Sequence, residues 1–367
     1  MMYTTLVFSM LLAAASAGRD TPVTAAVSKK TGELVNDPFI VDTVNADPKS
    51  KWKAGHNKHF DGWLREEARK LLGTKLDAPV GQSIPKKSYE DIPNDSIPES
   101  FDARKQWPNY IHPIRNQERC GSCWAFAATE ALSDRLAIAT QGKTNVVLSP
   151  EDLVSCDMTD NGCGGGYLAN AWKYLEKTGV VTDGCFPYGA GAGKPTSCTH
   201  SCVDGETYTK YKTTDTFQLE TEEDIQKAIM TDGPVEAGFT VYKSFMSYQS
   251  GVYERHWWKV WDTVEGGHAV KIVGWGVEND TEYWIIANSW STQWGEDGFF
   301  RILRGKNECG IGTSGQVALN YKQRHGKQTT RTNLTILTHL THTREPSFRR
   351  PRRRALGEGR HQRGVDR

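Results

Sequence analysis

The chain has 367 residues, 37% of them hydrophobic, which suits a soluble globular protein of one or two domains with a large core. No stretch after the N-terminal leader approaches the roughly 18 apolar residues of a membrane-spanning helix. The net charge of +1 conceals an asymmetry: residues 321–367 carry 13 Lys/Arg against 3 Asp/Glu, so residues 1–320 hold 32 against 41. The acidic body reads as a solvated surface and the basic end as a tail.

In chain order, residues 1–17 lack charge. They contain the apolar run Leu6–Ala15 and end in the small-residue pattern Ala15-Ser16-Ala17, a secretory signal peptide without the usual basic start. A secretory route permits disulfides. Residues 18–40 are polar, with little order expected at their start. Apolar residues at 60, 63, 64, 68, 71 and 72 predict one helical face stopped by Gly73. Residues 79–98, rich in Pro, Lys, Asp and Ser, predict an exposed, cleavable linker. Cys123 opens a predicted helix with Ser122 as N-cap and an apolar face from Phe126, Leu132 and Leu136. Further helices are predicted from Leu148–Leu153, over 169–177 and over 222–230. Tyr283–Ala287 and Gly298–Leu303 alternate as strands. The first half is thus helical and the second sheet-rich, an α+β chain. Residues 321–367 show no periodicity and read as a disordered extension.

The chemistry centres on Gln117-Glu118-Arg119-Cys120-Gly121-Ser122-Cys123-Trp124. A thiol at a helix N-terminus feels the positive end of the macrodipole, which favours the nucleophilic thiolate. A base and its orienter stand downstream in Gly266-Gly267-His268-Ala269-Val270 and Ala287-Asn288-Ser289-Trp290. His268 lies 145 residues after Cys123, and Asn288 another 20 beyond. Cys120 and Cys123 also form a C-x-x-C, but no thioredoxin context or second ligand pair accompanies it, and no metal or organic cofactor is implied. With Cys123 free, seven of the eight cysteines remain, so another is free or pairs elsewhere; the sequence alone leaves the pairing open.

These motifs, with Ile97–Arg104, Cys163-Gly164-Gly165-Gly166-Tyr167, Asp232-Gly233-Pro234-Val235 and Asn288–Arg304, resemble the papain family of cysteine proteases, and within it the cathepsin B branch, over about residues 40–320. The resemblance implies a two-lobe fold, helical on the left and β-barrel-like on the right, with the active site in the cleft. It implies a propeptide over 18–95, a peptidase domain over 96–320, and bridges Cys120–Cys163, Cys156–Cys198 and Cys185–Cys202, with Cys309 free. Cys123 would be the nucleophile, His268 the base and proton donor, and Asn288 the holder of its tautomer. Gln117 would supply the oxyanion hole with the Cys123 N–H. Gly121, Gly165, Gly166 and Gly267 would admit a substrate backbone, Trp290 would shield the His–Asn bond, and Ser314 would stand at the base of the S2 pocket.

Three departures stand out. Glu118 replaces a usual glycine, and strain follows if φ is positive there. Gly164 replaces a frequent Asn, which loosens its loop. The 12 residues between Cys185 and Cys198 contain no histidine, so the occluding loop that anchors a substrate C-terminus is missing. With no carboxylate at Ser314 or Gly315, an apolar P2 residue is expected. The expected partners are protein and peptide substrates, the chain's own propeptide lying in the cleft opposite in direction to substrate, and cystatin-like inhibitors, but not nucleic acid. The expected compartment is lysosome-like or extracellular. Asn94, Asn279 and Asn333 begin glycosylation sequons.

Overall fold

The structure, a computed structural model, describes residues 32–77, 84–256 and 259–312 and the backbone of 317–320. The expected leader, the basic tail, Ser314, Gly315 and Asn333 lie outside the described residues.

The described chain begins with α1 (Pro38–Asn45), capped by the Asp37 carboxylate and started by a proline. β1 (Trp52–Ala54), a 3-10 turn at Lys58–Phe60 and α2 (Arg65–Arg69) follow. The single helix expected over 60–72 is therefore broken. Gly62 turns at φ +70°, and Leu64 is extended before α2. The apolar set is nonetheless buried: Phe60, Trp63, Ala68 and Leu71 join the core of the sheet. A five-residue helix has no stability of its own, so burial at about 1.5–3 kcal/mol per large side chain holds this segment in place.

The linker departs from expectation too. Residues 84–92 are docked: Gln218 N donates to Pro85 O (2.7 Å), Tyr89 N donates to Asp224 Oδ1 (2.7 Å) and the Tyr89 hydroxyl donates to Asp232 Oδ2 (2.6 Å). Within 84–92 only Ile84 and Tyr89 are buried, and residues 93–100 are exposed apart from half-buried Ile97.

β2 (Phe101–Asp102), α3 (Ala103–Gln106), α4 (Cys123–Ala139), α5 (Pro150–Cys156) and α6 (Leu168–Lys177) come next. α4 has no solvent face; it is buried from Cys123 through Ala137. Its charged residues are matched from outside the helix. Asp134 accepts from the His112 backbone N (2.9 Å) and from Lys271 Nζ (2.6 Å), and the Arg135 guanidinium caps the carbonyls of Gly233 and Pro234. Ser122 occupies the N-cap position without capping; its hydroxyl meets Tyr188 Oη at 2.9 Å.

The second half adds β3 (Asp215–Gln218), α7 (Glu222–Asp232), β4 (Val235–Tyr242), β5 (Tyr248–Tyr253), β6 (Val264–Glu278), β7 (Thr281–Ala287), β8 (Phe299–Leu303) and β9 (Val317–Asn320). The sheet order is β1-β5-β8-β7-β6-β4-β9-β3, with β2 also on β6. This path is open, not barrel-closed, with β1 at one end and β3 at the other. One apolar core surrounds α4 and a second lines the sheet, giving the two lobes of an α+β fold. α4 and β6 pack together where the lobes meet, bringing Cys123 and His268 to one place. The bridges are Cys120–Cys163, Cys156–Cys198 and Cys185–Cys202, and Cys123 and Cys309 are free.

Candidate active site

Cys123 is fully buried at the first turn of α4. Its sulfur meets Thr74 Oγ1 at 3.1 Å and accepts from the backbone amides of Ala269, Gly73 and Trp124. The Ala269 amide belongs to the residue after His268, so the imidazole's own strand touches the sulfur. Burial pushes the thiol up from its ordinary pKa, and these donors offset only part of the rise.

His268 lies on β6, where Gly267 precedes it and Phe239 of β4 stands opposite in register. Its Nε2 is 2.8 Å from Asn288 Oδ1, and the Ser289 amide donates to the same oxygen at 2.8 Å. Two donors converging on one atom fix the orientation of the Asn288 amide. His268 Nε2 therefore carries hydrogen, and Nδ1, buried without a hydrogen-bond partner among the described residues, is the basic nitrogen. Burial lowers the imidazole pKa to about 4, opposed in part by Asn288. Fully buried Trp290, expected to shield the His–Asn bond, lies against the ring with centroids 4.7 Å apart. Trp294 packs edge-on against Trp290 at 5.0 Å.

Gln117 is buried and oriented by the Ser289 hydroxyl, which donates to its Oε1 at 2.8 Å. Its Nε2 donates to Cys120 O (2.8 Å) and to Leu71 O (2.9 Å). A carbonyl of the preceding segment thus sits on the donor expected to hold an oxyanion. Cys120 is bridged to Cys163, which removes the C-x-x-C redox pair as a reading.

Residues 71–77 run through the cleft. Gly166 N donates to Gly73 O (2.9 Å), Lys75 N to Gly166 O (3.0 Å) and Thr74 N to Gly267 O (3.1 Å), a parallel pairing with both walls. The expected substrate-backbone glycines are the ones used here. A Cβ on Gly73 would lie 1.8 Å from Gly121 O, one on Gly165 (φ +102°) 2.3 Å from Gly73 O, and one on Gly267 2.2 Å from Thr74 O.

Residues 97–319 match the family described as papain family cysteine protease. The chain belongs to the papain family of cysteine proteases. It is 42% identical over 270 residues to cathepsin B-like CP3 of Giardia intestinalis, covering 71% of this chain and 87% of that one. It is 43% identical over 307 residues to cathepsin B-like cysteine proteinase 4 of Caenorhabditis elegans, covering 74% and 89%. Procathepsin B S9 from Trypanosoma congolense superposes with a TM-score of 0.71 at 33% identity, covering 79% of this chain and 99% of that one. The chain is therefore a cathepsin B-like protease made as a zymogen, with its prosegment as its own inhibitor.

In this papain-family zymogen Glu118 sits at φ +53°, the left-handed region that the usual glycine would occupy without cost. Gly164 leaves room for Asn161, whose amide would lie 2.3 Å from any Cβ there. The short segment between Cys185 and Cys198 is gathered onto buried Glu151. One of its carboxylate oxygens accepts from Gly189 N and Ala190 N, the other from Ser155 Oγ and from the amide and hydroxyl of Thr196. Sequence reasoning missed Thr74, Ser289 and Glu151. Only Ser289, beside Asn288, lay within a motif that could have flagged it.

Proposed function

We propose that this protease is an endopeptidase using Cys123, His268 and Asn288, with Gln117 and the Cys123 N–H receiving the oxyanion. The observation that carries the reading is the hydrogen-bond pair on Asn288 Oδ1, which leaves His268 Nδ1 as the base at the cleft between α4 and β6. Once the prosegment leaves, His268 takes the thiol proton and forms an ion pair, and the thiolate attacks the peptide carbonyl. The developing oxyanion takes the Gln117 donor that Leu71 O now occupies. The imidazolium then protonates the leaving amine, and water, deprotonated by His268, cleaves the thioester.

The parallel pairing of residues 73–75 supports a prosegment reversed relative to substrate, so residues before Gly73 lie where the leaving-group half of a substrate would go. The histidine-free segment drawn onto Glu151 supports an unobstructed leaving-group side and little dipeptidyl carboxypeptidase action. An apolar P2 preference follows from the lack of a carboxylate at Ser314 or Gly315. Exposed residues 93–100 are the maturation region, with the mature chain starting near residue 96. The leader directs the chain to a lysosome-like compartment or outside the cell, where cystatin-like proteins would inhibit it.

N-terminal sequencing of acid-activated protein, with its cleavage profile on a peptide library, tests these assignments together. Full turnover by C123A would refute the nucleophile. Sequential release of C-terminal dipeptides would refute the endopeptidase reading, and comparable turnover of Arg-Arg and Phe-Arg substrates the P2 preference.

A further inference from the structure

The Arg119 side chain is held by the prosegment. Its guanidinium lies 4.0 Å from the centre of the Trp63 ring, and Nη1 donates to Glu67 Oε1 at 3.3 Å. Its backbone is held by the enzyme: Arg119 N donates to Gly191 O at 2.9 Å, and the next residue is bridged to Cys163. Maturation removes Trp63 and Glu67 and leaves a cation on a fixed main chain. In the zymogen a groove of about 510 Å³ lies between the prosegment residues Glu67, Arg69, Lys70, Leu72 and Gly73 and an enzyme wall of Arg119, Cys163, Gly164, Ala192 and Gly193. Small residues dominate that wall. The neighbouring acid, Glu118, turns toward Gly191, where its Oε2 lies 2.1 Å from the position a Cβ would take.

Glu67 places a carboxylate on this arginine, with its other oxygen accepting from Leu64 N at 2.8 Å. Because the prosegment precedes Gly73 here, the carboxylate sits on the leaving-group side of the cleft. We propose that Arg119 is a specificity-determining residue of the mature enzyme that recruits a carboxylate lying C-terminal to the scissile bond. The inference rests on the open leaving-group side proposed above. A guanidinium fork suits a carboxylate, and two sources supply one: an acidic side chain near the cut, or the free C-terminus of a short leaving peptide.

The test uses acid-activated enzyme and quenched peptides of one sequence. One is neutral and amidated, a set carries Glu at each of the first three leaving-group positions in turn, and one ends in a free carboxylate three residues past the cut. The expected result is about a fivefold higher kcat/KM for at least one carboxylate peptide, carried by KM and reduced by salt. R119S should bring the ratio to one, and R119K should keep part of it. Selectivity for the Glu peptides assigns the site to acidic side chains; selectivity for the free carboxylate assigns it to chain ends. Equal turnover of all peptides by the wild type, as retraction of Arg119 onto Glu118 would give, overturns the inference, as does an unchanged ratio in R119S or R119K. Failure to cleave any peptide would instead overturn the protease reading, and this inference with it.

Discussion

His59 should make the closed zymogen sensitive to acid. Its ring, part of the prosegment, packs against Phe60 and Trp63, Nδ1 stands 3.4 Å from Ser291 Oγ of the enzyme, and Nε2 is buried without a partner among the described residues. Burial, reinforced by the Arg119 charge, lowers its pKa from 6.5 to about 4. When the prosegment lifts, His59 regains an ordinary value. Below pH 6.5 the open form then binds a proton that the closed form refuses, so closure weakens as pH falls toward 4 and changes no further below it. Each pH unit is worth about 1.4 kcal/mol, so closure loses about 2 kcal/mol by pH 5, roughly a 30-fold rise in opening. Hydrogen exchange across residues 60–77 of a C123A zymogen, corrected for intrinsic rates between pH 5 and 6.5, reads this opening. His268 adds to the slope. Asp160, held at about 6 by burial, works against it, so the measure is the difference between variants. H59Q keeps the bulk without titrating and should lower the slope by about one proton. An H59Q slope equal to that of the parent would refute the reasoning.

G73A should displace the prosegment, since its methyl would collide with the Gly121 carbonyl; expelling it should cost at least about 2 kcal/mol and expose Cys123 to thiol labelling at neutral pH. Q117A should lower kcat of the mature enzyme by about 10²–10³ with little change in KM, measured at saturating peptide. E151Q puts an NH2 group where two or three donors already point, and should destabilise the zymogen by about 2 kcal/mol in denaturant unfolding. E118G should raise stability by about 0.5–1 kcal/mol, because glycine relieves the left-handed strain at that residue.

The elements carrying the chemistry were legible because their signals are local. Cys123 begins α4, and the glycines before His268 mark a strand approached by other backbone. What escaped depends on partners far along the chain. Tyr89 turns a linker into a docked segment by bonding Asp232, 143 residues away, and no local composition announces that. The predicted amphipathic face of α4 vanished because both lobes close around the helix, leaving Asp134 to be matched by Lys271, 137 residues downstream. The helix expected over 60–72 had the right buried residues and the wrong backbone, since Gly62 bends the chain while the apolar side chains still reach the core. Thr74 reads as an ordinary polar residue until it meets the sulfur.

The reversed run through the cleft also governs how a population of these molecules comes alive. A zymogen whose own groove is filled by residues 71–77 has no room there for its exposed tether at 93–100. The first severed molecules must arise from the few that have transiently let go, and each of them is then free to cut its neighbours. Conversion should therefore start with a lag, accelerate as product accumulates, and shorten its lag with rising protein concentration or with a trace of already mature enzyme.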